Sequence, residues 1–145
     1  MITKIFFIIV VAAVGTSCAQ TAKDEPLIGD WSGESKCVGS NPYCHDEVVV
    51  YHISRSKTDA KKITIVADKI IDGKPDYMGT FECDYDAVKN TLTSEFTIPR
   101  TGGKGVWLFK IDGDKMDGTL TVFPENEIGR RVKVNKVKPD PKKPE

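Results

Sequence analysis

The chain has 145 residues, the length of one ordinary domain, and its 21 basic residues are balanced by 21 acidic residues. A formal net charge of zero gives no field that would favour nucleic acid or an acidic membrane surface as a partner. Two histidines leave few options for metal ligation or acid–base catalysis.

The first seventeen residues have the pattern of a secretory signal peptide. Lys4 supplies a positive charge, an apolar run covers residues 5–14, and small residues follow it. The apolar run is shorter than the roughly 20 residues of a membrane-spanning helix. A buried core helix is the alternative, but the run has no amphipathic pattern. We therefore expect an exported protein.

Two processing routes fit the end of this segment. Val-Gly-Thr-Ser-Cys at residues 14–18 resembles a bacterial lipoprotein box, although Gly15 stands where leucine is commonest. That resemblance implies a lipid on Cys18 that anchors the chain in a membrane, with residues 18–26 as a polar tether. Ordinary cleavage after Ala19 is the second route. We favour the first, which predicts an outer-membrane lipoprotein of the cell envelope, on either its periplasmic or its surface side.

The cysteines indicate one disulfide. Export places them in an oxidising compartment, where disulfides persist. Cys37 and Cys44 are separated by a turn-forming stretch at residues 39–42, so we expect these two to pair. Cys83 would then be unpaired and buried as a small apolar side chain.

No pattern in the sequence matches a metal site or a catalytic motif. The six residues between Cys37 and Cys44 do not fit the C-x2–4-C spacing of zinc sites, and His45 and His52 would face opposite sides of one strand. A Cys44–His45 nucleophile is excluded if Cys44 is in a disulfide. Hydrolase, zinc-protease and phosphate-loop motifs are lacking. We expect no catalytic residues, no metal and no cofactor.

From residue 27 onward the pattern is that of β-strands. Period-2 alternation or β-branched runs, each ended by turn residues, predict strands at Ile28–Ser35, Glu47–Ser54, Lys62–Ile71, Tyr77–Tyr85, Thr91–Ile98, Gly105–Ile111, Lys115–Phe123 and Gly129–Val137. The clearest breaks are at residues 72–75, 112–114 and 124–126. The proline-rich, charged tail at 139–145 is expected to be disordered.

Eight short strands joined by short turns predict an all-β fold, an antiparallel up-and-down β-barrel over residues 27–138. Closing the meander removes the two open edges that a flat sheet would leave. A sandwich of two sheets is the alternative. Strand parity predicts an inward set of Trp31, Gly33, Val49, Tyr51, Ile53, Ile63, Ile65, Ala67, Phe81, Cys83, Tyr85, Leu92, Ser94, Phe96, Trp107, Phe109, Ile111, Gly118, Leu120, Val122, Val132 and Val134.

The first strand carries a family resemblance. Leu-Ile-Gly-Asp-Trp-Ser-Gly at residues 27–33 resembles the Gly-x-Trp signature of lipocalins and other calycins, with Gly29 and Trp31 at the matching positions. The resemblance implies a barrel whose closed end is plugged by Trp31. Lipocalins place an arginine near that tryptophan after the last strand, where this chain has Lys136 and Lys138. The chain also lacks a C-terminal helix pattern, so it looks like a compact bacterial lipocalin-like lipoprotein.

A second resemblance leads to another function. Bacterial inhibitors of secreted metalloproteases are small exported eight-stranded barrels with a Gly-x-Trp-like start and one disulfide near the N-terminus. In those inhibitors the N-terminal segment enters the protease cleft, and a lipid on Cys18 would block such a segment. A protein-binding barrel, either an inhibitor of this kind or an envelope scaffold, is the alternative to a small-ligand binder.

Meander topology predicts where binding would occur. The loops at 36–46, 72–76, 99–104 and 124–128 would share one rim of the barrel, and loops on a rigid scaffold often carry function. Trp107 and Phe96 would lie inside near that rim, and Tyr43, His45 and Arg100 would supply polar groups around it. We expect non-catalytic binding of a small apolar or amphipathic molecule between the disulfide-bonded loop and the Gly-rich stretch at 102–105.

Overall fold

The computed structural model describes residues 26–138. Eight strands follow one another as β1 (Gly29–Cys37), β2 (Glu47–Arg55), β3 (Lys62–Ile71), β4 (Lys74–Asp86), β5 (Thr91–Thr97), β6 (Lys104–Asp112), β7 (Lys115–Phe123) and β8 (Glu127–Lys136). Each strand pairs antiparallel with the next, and β1 also pairs with β8, so the barrel is closed. The predicted architecture is confirmed, and the sandwich is excluded.

Alternation along the strands builds the core. Inward side chains such as Val49, Tyr51 and Ile53 on β2 are buried, while their neighbours along the strand are partly or fully exposed. The predicted inward set is confirmed: its large apolar members are buried or packed against the core, and Val122 faces a cavity at one end of the barrel. The predicted set left out Leu27, which precedes β1, and Met116 on β7, which has the inward parity of Gly118.

The shortest strand pairing in the barrel is the one between β4 and β5. Their ladder has three residue pairs, from Asp84↔Thr93 to Asp86↔Thr91. The sequence predicted a turn through Pro75, but β4 already begins at Lys74 and pairs with β3 there. Pro75 is tolerated because the second side of β4 carries no strand at this level. The proline, a bulge beside Met78 and several charged side chains protect this free edge from pairing with another chain.

Trp31 is buried near the start of β1, at the end of the strand away from the β1–β2 connection. Its side chain is fully buried, and its indole N–H donates a hydrogen bond of 2.9 Å to the carbonyl of Leu27. The ammonium group of Lys136 lies 5.8 Å from the centre of the indole ring and donates to the carbonyl of Pro26. Lys136 on β8 thus covers the indole of Trp31. It lies in the region where lipocalins, which the first strand resembles, place an arginine near the tryptophan.

The opposite end, the rim, is formed by the β1–β2, β3–β4, β5–β6 and β7–β8 connections. The register of β8 against β7 jumps from Leu120↔Arg130 to Thr121↔Ile128, which leaves Gly129 as an extra residue. Such a bulge removes a residue from the ladder and bends the strand. The carbonyl of Gly129 instead accepts a hydrogen bond of 3.0 Å from the amide of Val38, just after β1.

Among residues 26–138 no helix is long and apolar enough to cross a membrane. The predicted signal peptide, Cys18, the tether up to residue 25 and the tail at 139–145 lie outside the described residues.

Candidate functional site

A cavity of about 610 Å³ opens at the rim, and we call it the rim cavity. It is enclosed by the β1–β2 connection (residues 38–46, the disulfide loop), the β5–β6 turn (residues 98–103) and the β7–β8 turn (residues 124–126). Much of its wall is apolar, from Pro42, Ile98, Leu120, Val122, Phe123 and Pro124. Polar groups come from Ser40, Asn41, Thr101, Glu125, Glu127 and Arg130.

Arg130 organises the base of the rim cavity. Its guanidinium lies 3.1 Å from the carboxylate of Glu47 and donates hydrogen bonds to the Ser35 hydroxyl at 2.9 Å and the His45 carbonyl at 3.0 Å. Both charged side chains are about four-fifths buried, at 19% and 22% exposure, so each needs its partner. Burial raises the pKa of Tyr51, which lies near enough to Arg130 and Glu47 to be influenced by both. The charges at this point of the barrel are therefore already paired.

The predicted disulfide is confirmed. Cys37 and Cys44 are bonded with their Cα atoms 5.9 Å apart, and Cys83 is free and buried. Within the disulfide loop, the amides of Tyr43 and Cys44 bond to the side chain and carbonyl of Asn41 at 3.0 and 3.1 Å. The loop is therefore a small closed ring with its own hydrogen bonds, placed over β8.

Tyr43 and Arg100 meet at the mouth of the rim cavity. The guanidinium carbon of Arg100 lies 5.8 Å from the centre of the Tyr43 ring, which is 76% exposed. This cation–π contact joins the disulfide loop to the β5–β6 turn. Around the closed barrel of eight strands, these two connections are four strands apart. Neither residue lines the cavity itself.

Trp107 and Phe96 belong to the layer of core side chains next to the cavity. Trp107 is 6% exposed and stacks on Phe109 with ring centres 5.3 Å apart. Phe96 lies across Gly105, where an added Cβ would collide with its ring. Leu120, the registered partner of Trp107 on β7, reaches the cavity, whereas Trp107 and Phe96 are not part of its lining.

His45 contributes its backbone carbonyl to Arg130, and its exposed imidazole is not part of the cavity lining. Sequence reasoning missed the cluster of Arg130, Glu47 and Ser35. A signal was present, because Arg130 has the parity of Val132, and Glu47 has the parity of Val49. Charged residues at inward positions of two strands could have been matched as an ion pair.

A second polar cluster lies on the outer face of the barrel. His52 on β2 is held between Asp30 on β1, at 2.7 Å from Nδ1, and Asp68 on β3, at 3.2 Å from Nε2. The hydrogen bond to Asp30 is the main cause that raises the pKa of His52 above 6.5. The two carboxylates occupy opposite ring nitrogens, so they cannot join the imidazole around one ion. Within residues 26–138 no group of three or more His, Cys, Asp or Glu side chains is arranged to hold a metal.

Comparisons with known proteins bear on the fold. Neither the known protein-family models nor the curated proteins gave a match to the sequence. The crystal structure of secretory abundant heat soluble protein 4 from Ramazzottius varieornatus superposes with a TM-score of 0.51 at 14% identity, covering 78% of this chain and 96% of that one. This likeness concerns the fold alone: the chain is a closed eight-stranded antiparallel β-barrel.

Proposed function

We propose that the protein binds a small apolar or amphipathic molecule in the rim cavity, without catalysis. The observation that carries this proposal is the cavity itself. Its volume of about 610 Å³ falls within the range of about 300–1,000 Å³ typical of small-molecule sites, and apolar side chains with a few polar groups line it.

The polar groups at the base of the cavity support a ligand with an apolar body. Arg130 already donates to Ser35 and to the His45 carbonyl and is paired with Glu47. A charged ligand group would have to displace one of these partners. The displaced Glu47 carboxylate, for example, would then be a partly buried charge without a partner, which is costly. A neutral or weakly polar end placed among Ser40, Thr101 and the exposed Glu125 costs less.

Two matched variants test the site. Val122→Trp puts a large side chain into the cavity, whereas Val106→Trp puts the same side chain on the outer face of the neighbouring strand. We expect long-chain alcohols, monoacylglycerols and the neutral dye N-phenyl-1-naphthylamine to bind the wild type and Val106→Trp. Val122→Trp should weaken their binding at least tenfold, measured by calorimetry for the lipids and by fluorescence for the dye.

Equal binding to the two variants would contradict the proposal. Failure of all three probes to bind the wild type would favour the alternative, a rim that contacts a protein such as a secreted protease or an envelope component.

We also propose that the protein is exported and anchored to the cell envelope through a lipid on Cys18, as a bacterial lipoprotein would be. The sequence of residues 1–18 supports this. An intact mass of the protein purified from membranes, with the mature N-terminus sequenced, decides between a lipid on Cys18 and a free N-terminus at Gln20. Native mass spectrometry of the same sample would also detect a co-purified ligand.

A further inference from the structure

The two flanks of the disulfide loop are held with unequal strength. On the β8 side, the Val38 amide donates to the Gly129 carbonyl at 3.0 Å and the Ser40 amide donates to the Glu127 carboxylate at 3.2 Å. Arg130 holds the end of the loop through the His45 carbonyl at 3.0 Å. With a longer bond of 3.5 Å from the Gly39 amide to the Gly129 carbonyl, four hydrogen bonds, two of them to charged groups, thus fasten this flank.

The opposite flank is held by much less. Among residues 26–138, the Tyr43–Arg100 pair is the one hydrogen bond, ion pair or ring contact that joins the disulfide loop to the β5–β6 turn. Both side chains are exposed. At an exposed site such a cation–π contact shifts an equilibrium by only about two- to fivefold.

The unequal flanks border the two sides of the rim cavity. Asn41 and Pro42 line it from the disulfide loop, and Ile98 and Thr101 line it from the turn. Separating the Tyr43 ring from Arg100 would therefore widen the cavity on that side. The disulfide and the hydrogen bonds to Asn41 keep residues 41–44 in one shape, so this part of the loop would move as a unit.

We propose that the disulfide loop is a strap that opens and closes the rim cavity, with its hinge at Gly129 and Glu127 and its latch at Tyr43 and Arg100. The ligand exchanged through it is the one of the proposed function, on which this part of the inference rests. Tyr43 and Arg100 act on the rate of exchange and do not hold the ligand.

A measurement without ligand tests the motion. Tyr43→Ala and Arg100→Gln remove the latch, and Tyr43→Phe is the matched control because it keeps the ring. Backbone relaxation dispersion reports exchange on the μs–ms timescale of loop opening. We expect the open population for residues 41–44 to rise about two- to fivefold in Tyr43→Ala and in Arg100→Gln, with Val38 and Ser40 unaffected. Wild-type behaviour in both latch variants would overturn the strap.

Stopped-flow binding of N-phenyl-1-naphthylamine, the neutral dye used above, tests the role in exchange. A latch slows entry and exit alike, so Tyr43→Ala should raise the association and dissociation rate constants by the same factor of about two to five and leave Kd unchanged. A direct contact would instead raise dissociation alone and weaken Kd, which would overturn the latch assignment. If the dye does not bind any variant, the proposed function fails, while the relaxation measurement still decides whether the strap exists.

Discussion

Replacing Trp31 by alanine should lower the free energy of unfolding by about 3–5 kcal/mol, the usual cost of truncating a large aromatic side chain in a core. The indole is fully buried, so removing the side chain would leave a cavity in the core. Its hydrogen bond to the Leu27 carbonyl would also be lost, which contributes about 1 kcal/mol within that range. Trp31→Phe keeps most of the packing and should cost about 1–2 kcal/mol.

Urea unfolding followed by fluorescence measures both variants, because Trp107 remains as the second of two tryptophans. With an m-value of about 1.5 kcal/mol/M, Trp31→Ala should lower the midpoint by about 2–3 M. Such a loss can exceed the stability of a marginal domain, and the phenylalanine variant then supplies the measurement. A loss below about 1 kcal/mol in Trp31→Ala would refute the view that this residue is part of the core.

Two further predictions follow from close contacts and from charge. Gly33→Ala should destabilise the barrel by about 1–3 kcal/mol, because a Cβ there would collide with the Lys133 carbonyl oxygen of β8. Gly79→Ala is the control: it has open space around it and should be neutral within about 0.5 kcal/mol in the same urea titration. The raised pKa of His52 means that its contribution to stability is complete below the ordinary pKa of 6.5 and is lost as pH rises through the raised value. The stability difference between wild type and His52→Gln, measured by urea unfolding, should therefore shrink as pH rises from below 6.5 through the raised pKa; a difference that stays constant over this range would contradict it.

The sequence by itself determined the number and order of the strands, the inward side chains and the disulfide. These features depend on local rules, since side chains alternate along a strand and turn residues mark where it ends. Cys37 and Cys44 lie close enough in the chain for their spacing to specify the pairing. Burial of Trp31 likewise follows from its place on the first strand of a closed barrel.

Only the tertiary structure decided where the candidate site lies. Trp107 and Phe96 have inward parity, but the stagger between strands and the path of the disulfide loop put them beneath the cavity lining. Parity says which face a side chain is on, and it does not say how far from the rim it lies or what covers it. The Glu47–Arg130 pair joins residues 83 positions apart, and the contact of Tyr43 with Arg100 joins two connections that meet because the barrel closes. Parity places Glu47 and Arg130 on the inward face, but which inward residues meet depends on the three-dimensional path of the chain.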